Sequence, residues 1–214
     1  MPSYGAAMTD ATTMTDPAPA ARRPQWGPRL LEQLTWHWDA QLRPGLSGLT
    51  DDEHLWEPVP GAWSIRPRGS AVTTMAAGGG DHVADFQVPE PVPAPVTTIA
   101  WRLGHLVVGV LGARNAAHFG GPAMAYDTYE WSPHADEALA ALDDGYRRWV
   151  DGVRALGEDG LERPVGPAEG PWADHTYAEL VLHISREVIH HGAEVLLLRD
   201  LYRHRRAAGE EGLR

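Results

Sequence analysis

Residues 183–198, His-Ile-Ser-Arg-Glu-Val-Ile-His-His-Gly-Ala-Glu-Val-Leu-Leu-Leu, constrain this chain more than any other stretch. At roughly 100° per residue, Leu180, His183, Ile184, Glu187, His191, Glu194, Val195 and Leu198 fall on one helical stripe. The stripe is apolar at both ends, so it should face a core, yet its middle is ionisable. Imidazoles and carboxylates packed against other helices are costly unless they are paired or hold a metal. A fold that buries this helix must therefore provide partners for its centre.

The helix has neighbours to pack against. Leu30, Leu31, Leu34, Trp38 and Leu42 recur at helical spacing over Arg29–Leu42, ahead of Pro44-Gly45. A Thr or Asp cap after Leu49 suits a short helical turn carrying Leu55 and Trp56. A second long helix begins at Thr97 or Thr98 and runs to about His118, before Gly120-Gly121-Pro122. The third is announced by Ser132-Pro133, an N-cap followed by Pro, with Asp136 and Glu137 in its first turn. Residues 157–170 read as a connection, and Thr176 with Glu179 forms a capping box that opens the fourth helix, which continues to about His204.

Four amphipathic helices without an alternating strand pattern predict an all-α four-helix bundle. Residues 57–97, rich in proline and carrying Gly78-Gly79-Gly80, predict a long irregular loop between helices one and two. The expected domain is 25–206, with a disordered leader at 1–24 and a flexible tail at 207–214.

Composition narrows the function. Eighteen Lys and Arg against 29 Asp and Glu leave a formal charge of −11, which argues against nucleic acid and anionic membranes as partners. The absence of cysteine removes disulfides, thiolate ligands and a cysteine nucleophile, so thiol chemistry would need an external thiol. No apolar run approaches a membrane span of about 20 residues, and no signal-peptide layout opens the chain, so a cytoplasmic location is expected.

Glu187 and His191, four apart, emerge one turn apart on one face and can grip one ion; His105 is a natural third donor. The competing reading is a helix-surface pair worth about 0.2–0.5 kcal/mol, which the apolar residues sharing its face oppose. Gly109 and Gly112 share a side of the second helix with His105, which suggests open space or close approach there. Three protein ligands leave coordination positions open, as a catalytic site requires. Nitrogen and carboxylate donors suit zinc first, and nickel, iron or manganese as well. His183 is an alternative ligand, a catalytic or orienting partner, or a hydrogen-bonded core histidine. His190 takes a wall or solvent position, or replaces His191. Glu194 orients an imidazole, acts as a general acid–base, or pairs with Arg102.

The chain resembles the DinB-like superfamily, and within it the branch of mycothiol-dependent maleylpyruvate isomerases and thiol S-transferases. The likeness rests on Trp101-Arg102-Leu103-Gly104-His105-Leu106, on His183 to Arg199, on Leu31 to Trp38, on Leu49 to Glu53 and on Trp56 to Ser64. It implies a four-helix bundle with His105, Glu187 and His191 as metal ligands. Where the isomerase-like branch continues His-Ala-Gly-His, this chain reads His191-Gly192-Ala193-Glu194, so no role of that last histidine carries over.

The leading expectation is a metal-dependent enzyme that activates a mycothiol-like thiol for S-transfer or isomerisation, with an electrophile as second substrate and Trp38, Trp63, Trp101 and Tyr129 at the mouth. The alternatives are a hydrolase in which the ion lowers the pKa of a bound water, and a metal-binding stress or scaffold protein without turnover. Two copies could pair through exposed helix faces.

Overall fold

The computed structural model describes residues 25–207, with side chains to Arg205; the expected leader and all of the expected tail but Ala207 lie outside the described residues. Among the described residues the protein is mostly helical, with one small sheet. Helix α1 (Trp26–His37) continues through a π-wound turn, Trp38–Leu42, into α2 (Arg43–Gly45). Leu31, Leu34, Trp38 and Leu42 are buried, the three-and-four spacing that the sequence displays. A Cβ on Gly45 would lie 2.5 Å from Leu196 Cδ2 of the last helix, so that side chain would have to shift to admit one. Helix α3 (Asp51–His54) is capped by Thr50, whose Oγ1 accepts from the Glu53 N–H at 3.3 Å.

Residues 57–97 correct the expectation of an irregular loop in an all-α chain. They hold a three-stranded antiparallel sheet of β1 (Ile65–Pro67), β2 (Met75–Ala77) and β3 (His82–Phe86), in the order β1-β3-β2. Ile65 faces Ala84 and Met75 faces Phe86 in register. Hydrophobic alternation does not announce these strands because a buried carboxylate organises them. Asp85 is fully buried; its Oδ2 accepts from the Ser64 N–H at 3.0 Å and from Arg66 Nε at 2.7 Å, and its Oδ1 accepts from the Val72 N–H at 2.9 Å. Arg66 also pairs with Glu57 and donates to the Ala62 carbonyl. The charge is thus paired and hydrogen-bonded, the condition under which a buried carboxylate is tolerated.

Thr98 starts α4 (Ile99–Gly104), its Oγ1 accepting from the Trp101 N–H at 3.2 Å. The helix runs on through a π-wound stretch, His105–Gly112, into α5 (Ala113–His118). Helix α6 (Ala135–Leu161) does not start at Ser132-Pro133. Ser132 Oγ accepts from the His134 N–H, while Asp51 Oδ1, from α3, accepts from the Ala135 N–H at 2.8 Å and its Oδ2 binds His134 Nδ1. The cap is tertiary, so no local pattern could place it. At its other end α6 runs past the expected boundary, kinking at Gly157, whose φ of 64° suits glycine. A 3₁₀ turn, Pro167–Trp172, then leads to α7 (Tyr177–Ala207). The capping box forms as expected: the Thr176 N–H donates to Glu179 Oε2 at 2.7 Å and the Glu179 N–H to Thr176 Oγ1 at 3.3 Å.

Val181, Ile184, Val188 and Val195 of α7 are wholly buried, packing with Leu34, Leu103, Leu106, Leu111, Leu142 and Trp149 in one core. Beyond it, Arg199 of α7 is buried with Glu53 of α3, Nε to Oε1 at 2.8 Å, and also donates to the Gly45 carbonyl. This pair fixes the C-terminal half of α7 against the α2–α3 connection.

Candidate metal centre

The π-wound stretch opens at His105, and its backbone sets that ring against α7. π-Windings inside α-helices are rare and occur often at functional sites. One turn apart on α7, His191 Nε2 and Glu187 Oε2 stand 3.4 Å from each other. The rings of His105 and His191 meet edge to face, 4.8 Å between centroids. Donor atoms of His105, Glu187 and His191 all lie within 4.8 Å of one another.

Each imidazole is held from behind. His105 Nδ1 is 2.6 Å from the Tyr126 hydroxyl, and its ring stacks on Trp101. Trp101 Nε1 donates in turn to the Asp85 carbonyl at 2.8 Å, so the sheet braces the histidine through one tryptophan. Burial, then the neighbouring His191 and Arg102, lower the His105 pKa to about 4, which keeps the ring neutral with a lone pair at physiological pH. His191 is held by Glu194, whose Oε2 lies 2.7 Å from Nδ1. With that proton on Nδ1, the Nε2 lone pair faces Glu187, the arrangement by which a carboxylate orients a metal-binding histidine.

Glu194 is itself pinned. Arg102 Nε is 3.0 Å from Glu194 Oε2, close enough for charge attraction although the N–H is not aimed along the line. Partial burial works to raise the Glu194 pKa, but the His191 hydrogen bond and the charges of Arg102, His191 and His190 outweigh it and hold the carboxyl below its ordinary value. A second group of donors, His190, His191 and Glu194, also lies within 4.8 Å. There Arg102 Nη1 is already 3.3 Å from His191 Nδ1, and a guanidinium so placed repels a cation.

His183 stands apart from the three donors. It is partly exposed, its Nδ1 accepts from Arg186 Nη2 at 2.6 Å, and Glu187 Oε1 is 3.7 Å away. Burial, ahead of the opposing pull of Glu187, lowers its pKa. His190 is mostly exposed and 3.4 Å from Glu194 Oε1, a wall position.

The glycines beside His105 do not leave a void. A Cβ on Gly109 would collide with the Tyr126 hydroxyl, and one on Gly112 with Met124 Sδ. Their lack of side chains admits the 119–134 loop, which brings Tyr126 onto His105. Of the aromatics expected at the mouth, only Trp101 touches a donor histidine. Trp38 is buried in the core, stacked on Tyr146; Trp63 packs on Trp101, and Tyr129 on Trp131. Tyr126 has no sequence signal, since it sits in a loop without periodicity.

A mostly helical chain that gathers two histidines and a glutamate from two packed helices belongs to a recognisable class of protein. The DinB superfamily model matches residues 81–195, from β3 through α7 as far as Val195, and the chain belongs to that superfamily. Searches of curated proteins and of solved structures returned no match.

Proposed function

We propose that the protein is a metal-dependent enzyme that activates a low-molecular-weight thiol, mycothiol-like in kind, for S-transfer or isomerisation. The observation carrying this reading is the convergence of His105, Glu187 and His191, with both imidazoles oriented from behind and His105 kept neutral. The donor set fits a first-row divalent ion, zinc first. Ligands about 2.1 Å from a tetrahedral ion stand about 3.4 Å apart, which the His191–Glu187 separation of 3.4 Å meets. Such an ion would supply Lewis acidity, stabilising a thiolate at neutral pH in a chain that has no cysteine of its own.

The remaining roles fall to the chain's side chains. Glu194 orients His191 and stays ionised. Arg102 keeps Glu194 on that histidine and balances its charge. His183, whose Nδ1 lone pair is taken by Arg186 Nη2, stands beside Glu187 as a neutral hydrogen-bond donor rather than as a base, so the proton that an entering thiol loses passes to solvent. The four long helical runs are read as the four-helix bundle of the resemblance, with the sheet bracing His105 through Trp101.

Elemental analysis of the native protein and of His105→Ala, Glu187→Ala and His191→Ala tests the centre; full metal occupancy in all three variants would show that it is wrong. Turnover is tested separately with thiols and electrophiles such as epoxides or chlorodinitrobenzene. Absence of metal-dependent conjugation refutes the transferase reading and leaves the centre standing.

A further inference from the structure

A cleft of about 470 Å³ opens between α7 and the segment preceding it, on the N-terminal side of Glu187. That volume is typical of small-molecule sites. One wall is apolar, formed by Val165, Trp172, Leu180 and Leu182. Trp172 and Leu182 are more than half exposed, 61% and 54%, and present apolar surface in the cleft.

The charged groups of the cleft are unequal in what they have left to offer. The Glu169 carboxylate is consumed by His118 Nε2 at 2.9 Å and Arg114 Nη2 at 3.2 Å. Glu179 Oε2 accepts from the backbone and hydroxyl of Thr176, as the α7 cap, and its Oε1 lies 3.5 Å from His175 Nδ1. Arg186 differs. Its Nη2 donates to His183 Nδ1 and its Nε lies 3.6 Å from Glu187, leaving Nη1 without a partner among the described residues. Because His183 accepts at Nδ1, its proton is on Nε2, which adds a second donor beside Arg186. The two carboxylates that line the cleft are thus engaged, while donors remain on α7 beside the apolar wall.

We infer that this cleft binds a small organic anion with a flat apolar body, its carboxylate or sulfonate on Arg186 and His183 and its body against Trp172 and Leu182. The assignment stands on the cleft alone. That the occupant is also presented to Glu187, one turn along α7, is the one step that rests on the metal-centre reading.

Calorimetric titration of the full chain in chelator with 2-naphthoate and its neutral isostere 2-naphthamide tests the inference without involving the metal. Naphthoate should bind one to one. Arg186→Gln should weaken naphthoate by roughly ten- to hundredfold, the range for a hydrogen bond to a charged group, and leave naphthamide unchanged. Trp172→Ala should weaken both probes. Arg186 is exposed, so its replacement does not endanger the fold. The proposal is overturned if naphthoate gives no saturable binding at millimolar concentration, if naphthamide binds as tightly, or if Arg186→Gln leaves naphthoate affinity intact.

Discussion

Replacing His54 should remove a defined part of the acid sensitivity of this fold. His54 is almost fully buried on α3, its Nδ1 without a hydrogen-bond partner among the described residues. Burial lowers its pKa from 6.5 to about 4, against the smaller pull of Asp51. A depressed histidine pKa means that the unfolded chain takes up the proton first as pH falls. The stability held in neutral His54 is therefore complete above pH 6.5 and is lost progressively down to pH 4. Linkage puts the loss between pH 7 and pH 5 at about 2 kcal/mol for this one group. His105, depressed to about 4 as well, contributes a comparable loss. In chelator-treated protein, urea unfolding at the two pH values should therefore show a fall smaller by about 2 kcal/mol in His54→Phe than in the native chain. Phe can expand into the cavity of about 100 Å³ that His54 lines with Trp131 and Gly104. An identical fall in variant and native protein would refute the argument, because the proton uptake would then lie elsewhere.

Other perturbations separate the roles assigned above. Arg199→Ala strands the Glu53 carboxylate in the interior and should cost about 3–5 kcal/mol, read from the urea midpoint at pH 7. Asp51→Ala removes the tertiary cap of α6 and should cost about 1 kcal/mol, whereas Ser132→Ala, one step outside that cap, should cost less; equal losses would return the cap to Ser132. Gly109→Ala must displace Tyr126, and should destabilise by about 1–3 kcal/mol while releasing His105 Nδ1. Tyr126→Phe should leave folding intact and weaken metal affinity by about 10–100-fold, measured by competition with a chromogenic chelator; unchanged affinity would show that the hydroxyl does not orient the ligand.

Much of the helical framework is legible in single stretches. Leu31, Leu34, Trp38 and Leu42 display their spacing, and Thr98, Thr50 and the Thr176–Glu179 pair announce helix starts, because caps and amphipathic faces are set within one or two turns. The ionisable middle of α7 marks where a site should be sought, since charge amid apolar positions needs a physical reason. His105 could be nominated as its partner.

What lies outside such stretches depends on neighbours far along the chain. The sheet is organised by Asp85 reaching Ser64, Arg66 and Val72, contacts that span a dozen residues or more and leave no alternation to read. The α6 cap comes from Asp51, 84 residues away. Gly109 and Gly112 signalled either open space or close approach beside His105, and the tertiary structure decided for close approach, by Tyr126 and Met124. The sequence by itself therefore determined the long helices and the face on which titratable groups collect, because both follow from local geometry. Only the tertiary structure decided which side chains stand behind those groups, because hydrogen-bond partners and burial are set by packing across the chain.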